Sequence, residues 1–398
     1  MNMNYFTRKW TAAGSKGARG FSLLELMVSV TILLVVMAVL LQITGAIGEI
    51  WKSTSGKISA FQNARSAFST ITNTLSRATL NTYNDYVDST GKYRSSLGTA
   101  TAINAFAPVK FARASELHFI SGPAADIVPG ATAVLNPGHA VFFQAPMGVT
   151  EDKDYAALNR TLNSTGFYIQ YAPLEPTLLP TWLQPMLASQ HRFRLVQVIE
   201  PTEKLGVYTS TSTASPSYDL AWMDPFKTNS APVSGQPRPR VLAEDVCLLV
   251  LRPRLAPKDE LSASTYLGMP SYTVADNGSV LCPNYQYDSR SWETSYPPGQ
   301  RVLAAPYPTK RIELMRNQVP PIVEVIMVSL DRRSLSRFDF TTSTPPTVFN
   351  VPAGLFTDAK NFETDLATYT QQLSDARIRF KVFRTSVEIQ GSKWSNIN

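Results

Sequence analysis

One acid, Glu25, lies near the start of an apolar run, RGFSLLELMVSVTILLVVMAVLL (Arg19 to Leu41), and no further charge follows it up to Leu41. A charge in a segment suited to lipid costs several kcal/mol unless it is partnered, so Glu25 asks for a partner or a function. A local use exists, because Ser22-Leu23-Leu24-Glu25 spells a capping box. In that motif Ser22 accepts from the amide of Glu25, and the Glu25 carboxylate reaches back to the amide of Ser22.

The rest of the chain carries little that could do chemistry. His118, His139 and His191 are its only histidines, and none has the spacing of a zinc helix. No G-x-S-x-G elbow, phosphate-binding glycine loop or C-x-x-C occurs, so no catalytic residue is assigned and each histidine reads as a satisfied surface or sheet residue. Cys247 and Cys282 are too few for a disulfide scaffold and fit no zinc pattern. In an exported body they can form one bridge; otherwise they are a buried thiol in the strand-like VCLLVL and an unrelated loop thiol.

Asp85 with Asp88, and Glu151 with Asp152 and Asp154, could gather oxygen ligands around calcium. Both runs lack the glycine and terminal glutamate of an EF-hand loop and read as solvated turns, so no metal or other cofactor is required. The basic row Arg377, Arg379, Lys381 and Arg384 could touch DNA phosphates. A strand with one charged, exposed face explains it without DNA.

These residues need elements to position them. At 398 residues and 44% apolar composition the chain can build a large core in one or two domains. Four basic residues, Arg8, Lys9, Lys16 and Arg19, precede Gly20, and without them the formal charge falls from +7 to +3. This mild balance does not mark a dedicated nucleic-acid binder, which concentrates basic residues on one surface.

Residues 1–20 form a basic leader, but no small-residue A-x-A site follows the apolar core. Cleavage after Gly20 would instead retain the hydrophobic segment, which reaches the roughly 20 residues needed to cross a bilayer. Lys and Arg on the leader side predict a cytoplasmic leader and an exported body. All 28 prolines lie from Pro108 onward, leaving the first hundred residues free to be helical. Ile47, Trp51, Thr54, Ile58, Phe61, Phe68 and Leu75 recur at spacings of three, four or seven and predict one apolar stripe. A helix from about Ser22 to about Leu80 would be a rod roughly 85 Å long.

Gly20, Phe21, Glu25 and the run from Leu26 to Leu41 resemble the amino terminus of a type IV prepilin or type II secretion pseudopilin. The resemblance implies cleavage between Gly20 and Phe21 by a prepilin peptidase, methylation of the Phe21 amine, and pairing of that amine with Glu25 of a neighbouring subunit in a filament. Many such proteins carry a kinking proline in the apolar segment; here Gln42 stands near that place.

After Leu80 the texture changes. Asn81 to Ala107 reads as a long connection, and strands are predicted at 116–121, 140–145, 166–172 and 192–200. Residues 209–240 read as a flexible connection between two sheet portions. A second strand group covers 240–254 and 322–331. In the tail, 376–395, the apolar residues change parity, which predicts a β-bulge or a strand covered on both faces.

The Cys247 strand, the NYQYDSRSW loop, the VPPIVEVIMVSLD strand and the FKVFRTSVEIQGSKWS tail resemble the Verru_Chthon cassette protein C family. The order of strand, Trp-bearing loop and strand also resembles the larger minor pseudopilins of the J type.

The expected fold is α+β and pilin-like. Residues 1–20 form the leader, 21–80 a long helix (21–44 in the membrane or filament core, 45–80 amphipathic), and 81–398 a body rich in antiparallel sheet. The implied function is that of a non-enzymatic filament subunit of the inner membrane. Its partners are other pilin subunits and prepilin peptidase, with no small-molecule substrate. Alternatives are a membrane-tethered binding module, for DNA or a surface ligand, and a signal-anchored hydrolase.

Overall fold

The computed structural model describes residues 22–128, 130–155, 157–173, 190–208, 222–223, 239–268, 280–290 and 309–394, with the backbone alone for 49–50, 52–60 and 309. The chain divides into two units, Met1–Gly56 and Lys57–Asn398. Among the described residues the strands are β1 (Tyr83–Val87), β2 (Lys110–Ala114), β3 (Ile120–Pro123), β4 (His139–Pro146), β5 (Leu162–Pro173), β6 (His191–Glu200), β7 (Arg240–Glu244), β8 (Val246–Arg254), β9 (Tyr287–Asp288), β10 (Ile322–Leu330) and β11 (Phe380–Glu388). The α-helices are α1 (Leu23–Leu75), α2 (Ala100–Asn104), α3 (Ala124–Ile127), α4 (Pro257–Tyr266), α5 (Thr309–Met315), α6 (Arg332–Leu335) and α7 (Phe362–Asp375). This is the expected α+β class, with every paired strand antiparallel.

In the first unit, α1 is helical through Gly45 and Gly48, and all its described side chains from Leu23 to Ile47 are exposed. Leu23–Gly48 is long and apolar enough to cross a membrane.

In the second unit, the end of α1 buries Ala64, Ala67, Ile71 and Leu75, at three- and four-residue spacing. The stripe read from the larger side chains is thus rotated slightly. Phe68 is only half-buried, against Phe383 of β11 at 5.7 Å between ring centres, while two alanines take the closest places. Past the helix, Thr79 donates its N–H to Gln144 O (3.0 Å) and Gln390 to Ser76 O (2.9 Å). Gly391 passes so close that a Cβ there would stand 2.5 Å from Ala78 O, so no larger residue fits without moving the backbone.

Six strands form one sheet in the order β7-β6-β5-β4-β3-β9, and three form a second in the order β11-β10-β8. Strand β8 lies against β4, β5 and β6, bringing the sheets together around a shared core. Strands β4 and β5 are buried along nearly their whole length on both faces, including the polar side chains His139, Gln144, Asn163, Ser164 and Thr165.

The predicted strand over 240–254 is two strands in different sheets. The chain turns at Asp245, a non-glycine residue at φ 59°, so that β7 pairs with β6 and β8 with β10. The interval 209–240, read as the connection between sheets, lies almost wholly outside the described residues, and the change of sheet occurs at Asp245. Pro253 is tolerated because β8 is an edge strand of the smaller sheet.

The stretch Leu117–Phe119 is buried yet irregular, with its three amides taken by side chains, that of Leu117 by Ser115 Oγ (3.0 Å). His118 N donates to Gln144 Oε1 (2.9 Å) and Phe119 N to Ser289 Oγ (3.0 Å). The long connection after Leu80 holds β1, which pairs with β2. In the tail, β11 runs beside β10 in unbroken register and is partly covered on both faces; the register shift falls in the β10·β8 pair instead, at Val328/Ser329.

Candidate assembly segment and the polar sites of the body

The start of α1 shows half of the capping box. Glu25 N donates to Ser22 Oγ (3.1 Å) and Leu26 N to Ser22 O (3.1 Å). The Glu25 carboxylate is exposed and makes no hydrogen bond or ion pair among the described residues. The cap therefore rests on the backbone of Glu25 and leaves its charge unused. Gly20 and Phe21, the expected processing residues, lie outside the described residues. Polar side chains further along fold back on the helix, Ser29 to Leu26 O (2.9 Å), Thr31 to Val28 O (2.8 Å) and Thr44 to Leu40 O (2.8 Å). Each hydroxyl is thereby satisfied without water, as an apolar surrounding demands.

A second acid within an apolar run, Glu324 of β10, is treated in the opposite way. It is buried and holds Arg252 Nη1 at 2.6 Å, Arg384 Nε at 2.5 Å and Arg254 Nη1 at 3.7 Å. Arg252 is its direct partner across β8, and Arg384 its diagonal neighbour on β11. The guanidinium carbons of Arg252 and Arg384 lie 4.4 and 5.1 Å from the ring centre of Phe362, so the first turn of α7 is fixed to the sheet by the same group. Arg384 also pairs with Glu363 at 2.8 Å. The sequence offered a signal for this network, a lone acid in IVEVIMV, equivalent to the one that singled out Glu25.

The histidines have structural surroundings. Trp222 Nε1–H donates to His118 Nδ1 (3.2 Å), which leaves Nε2–H of the neutral ring to donate to Asp288 Oδ1 (2.7 Å). Leu251 N donates to His139 Nδ1 (3.0 Å). His191 stacks on Tyr171 with 5.4 Å between ring centres. Burial pushes the pKa of His118 down and that of His139 down to about 4. Burial pushes Glu200 the other way, up to about 7, against its hydrogen bonds to Gly206 and Ser164.

These shifts act on stability with opposite signs. A histidine with a depressed folded pKa stabilises above its ordinary 6.5, and that contribution is lost as pH falls from there towards 4. Glu200 stabilises below its ordinary 4.5 and loses that contribution as pH rises through about 7. At about 1.4 kcal/mol per pKa unit each is worth about 3 kcal/mol, so between these limits they largely cancel. We therefore expect His139→Asn to be less stable than wild type at neutral pH, with the difference in melting temperature shrinking by several degrees as pH is lowered to about 4.5. A difference that stays constant across that range would show that His139 does not titrate as its burial requires.

Asp85 accepts from Tyr86 N (2.8 Å) and Ser95 N (2.9 Å), and Asp88 from Thr90 N (2.8 Å) and Lys92 N (2.9 Å). Glu151 pairs with Lys204 at 2.5 Å. The acidic residues considered for calcium thus serve turns and one ion pair, and no group of three metal-ligating side chains converges among the described residues. Cys247 and Cys282 are both buried and free. The bridge left open by the sequence is not formed, since the Cys247 thiol is directed to Val328 O (3.7 Å) inside the core. Burial pushes the pKa of Cys247 up to about 12 and that of Cys282 upward as well, so both thiols stay protonated and unreactive.

The basic row also divides. Arg384 belongs to the Glu324 network, and Lys381 lies over the rings of Phe61 and Phe383 at 5.9 and 5.3 Å. Arg377 and Arg379 face a separate hollow.

Comparison with known families matches residues 15–41 to the prokaryotic N-terminal methylation motif. Neither the curated proteins nor the solved structures gave a match. The motif supports a pilin-like subunit processed at its amino terminus, consistent with an anchor in the inner membrane. It covers the apolar segment and Glu25, and leaves the body unassigned.

Proposed function

We propose that this chain is a minor subunit of a type IV pilus or type II secretion-like filament, cut by a prepilin peptidase between Gly20 and Phe21 and methylated on the new amine. One observation carries the reading. The methylation motif at residues 15–41 coincides with an exposed, membrane-length helix whose single acid has no partner among the described residues. The role is structural, in that enzymes act on this protein to mature it and its contribution is assembly.

Lipid tails are as apolar as the side chains of α1, so transfer from bilayer to filament gains little from the hydrophobic effect. Specific packing and the Glu25 charge must supply the selectivity. An unpaired carboxylate in an apolar medium costs several kcal/mol, and pairing with the amine of a neighbouring Phe21 offsets both charges at once. The large body, Lys57–Asn398, fits a scarce or terminal position better than a repeated one. A tethered DNA-binding role has less support, because Arg384 is paired with Glu324 and Glu363 and Lys381 lies over the rings of Phe61 and Phe383.

Mass spectrometry of the amino terminus of protein purified from its own host tests the processing step. N-methylated Phe21 is the expected first residue, and a peptidase-deficient host should yield the uncut form. An intact leader in both hosts would overturn the reading.

A further inference from the structure

The loop and short helix that follow β10 meet the residues that lead into β11 around a hollow of about 260 Å³. Its lining is Asp331, Arg333, Ser334, Arg337, Arg377 and Arg379. The four arginines are exposed, and none has a carboxylate within ion-pair distance among the described residues. Neighbouring arginines behave differently, for Arg332 pairs with Glu244 at 3.5 Å, and Arg252 and Arg384 share Glu324.

The one acid in the hollow offsets at most one of its four positive charges. Asp331 is 3% exposed, and its Oδ1 caps α6 by accepting from Arg333 N (3.3 Å). Four guanidinium groups around one hollow repel one another, with screening only beyond about 8 Å at physiological ionic strength.

The backbone holds these side chains at fixed roots. Asp331 N donates to Arg379 O (2.8 Å) and Arg379 N to Ser334 Oγ (3.2 Å), joining the two segments. Arg377 adopts φ 52°, held by its N–H to Ser374 O (2.7 Å), and one Nη of Arg337 donates to Ala376 O. The cluster is therefore built by the fold on two segments forty residues apart in sequence, from Arg337 to Arg377.

We infer that this hollow binds a compact, multivalent oxyanion of the phosphate class. Guanidinium groups rooted on two segments suit a tetrahedral group with several acceptor oxygens, whereas a single carboxylate is saturated by one or two forks; Arg337, which lies over the Phe338 ring at 5.0 Å, adds charge rather than a free fork. No aromatic side chain lines the hollow, so it offers no platform for stacking bases, and a phosphate group is bound without reading a nucleic-acid strand. The ligand is a free phosphate species or a phosphate carried by a sugar. The inference does not depend on the assembly role of the amino-terminal helix.

Titration calorimetry on the full chain in a non-ionic detergent, at constant ionic strength, tests it with inorganic pyrophosphate, glucose 1-phosphate and acetate. Pyrophosphate or the sugar phosphate should bind saturably to one site, the tighter of the two identifying the source, and acetate should not. Arg333→Ala with Arg379→Ala should weaken binding at least about tenfold. Arg379→Lys, which keeps the charge and loses the fork, should weaken it in part, and Arg160→Ala, an exposed charge elsewhere, should leave it unchanged. The inference is overturned by absence of saturable binding, by binding that survives in the Arg333/Arg379 variant, or by equal weakening in Arg160→Ala. Unchanged melting temperatures of the variants exclude misfolding as the cause of any loss.

Discussion

Cells in which Glu25→Ala is the sole copy of this protein are expected to retain it in the membrane fraction and to lose it from sheared filaments. The size of the effect follows from the cost of an unpaired charge in an apolar medium. If the partner amine of Phe21 is left alone in the filament core, about 3 kcal/mol is forfeited, which corresponds to roughly a hundredfold drop in incorporation at equilibrium. The structure makes this substitution unusually discriminating. The bond that caps α1 runs from the backbone N–H of Glu25 to Ser22 Oγ, and alanine keeps that N–H. A purely local capping role therefore predicts normal incorporation of Glu25→Ala. The docking role predicts its loss, with Ser22→Ala giving only the modest cost of a lost cap, about 1 kcal/mol. Immunoblotting of membrane and sheared fractions decides between them.

The second large effect is expected at Glu324→Ala, at about 3–5 kcal/mol of destabilisation of the body, read by denaturant unfolding. Removing this carboxylate takes away the oxygen that holds buried Arg252 at 2.6 Å, and releases Arg384 and with it a hold on the first turn of α7. The loss should greatly exceed that for Arg254→Ala, since Arg254 is more exposed and stands 3.7 Å from the same acid. A cost for Glu324→Ala below about 1 kcal/mol would place the network among ion pairs that contribute nothing net, which surface pairs often do. Because Glu324 lies outside the amino-terminal helix, this variant should be processed normally wherever its body still folds.

Glu25 and Glu324 present the same anomaly in sequence, a lone acid in an apolar stretch, and only the fold separates them. The basic partners of Glu324 lie on β8 and β11, more than fifty residues away in either direction, and become neighbours only when the three strands pair in register. The helix carrying Glu25 brings no such residue alongside it among the described residues. One acid thus completes an internal network, and the other has no partner among the described residues, which is the arrangement the proposed docking role requires.

The sequence by itself determined the membrane-length helix, the methylation motif with its acid, the antiparallel texture of the body and the position of most strands. All of these depend on contiguous residues, on apolar run length, on periodicity and on turn formers. Tertiary structure alone decided where β7 and β8 part at Asp245, that 117–119 gives its amides to side chains, that the cysteines stay apart and that the basic row divides. The hollow of Arg333, Arg337, Arg377 and Arg379 belongs with these. Each depends on contacts between segments distant along the chain, and one strand's pattern does not reveal which neighbour will satisfy its polar groups.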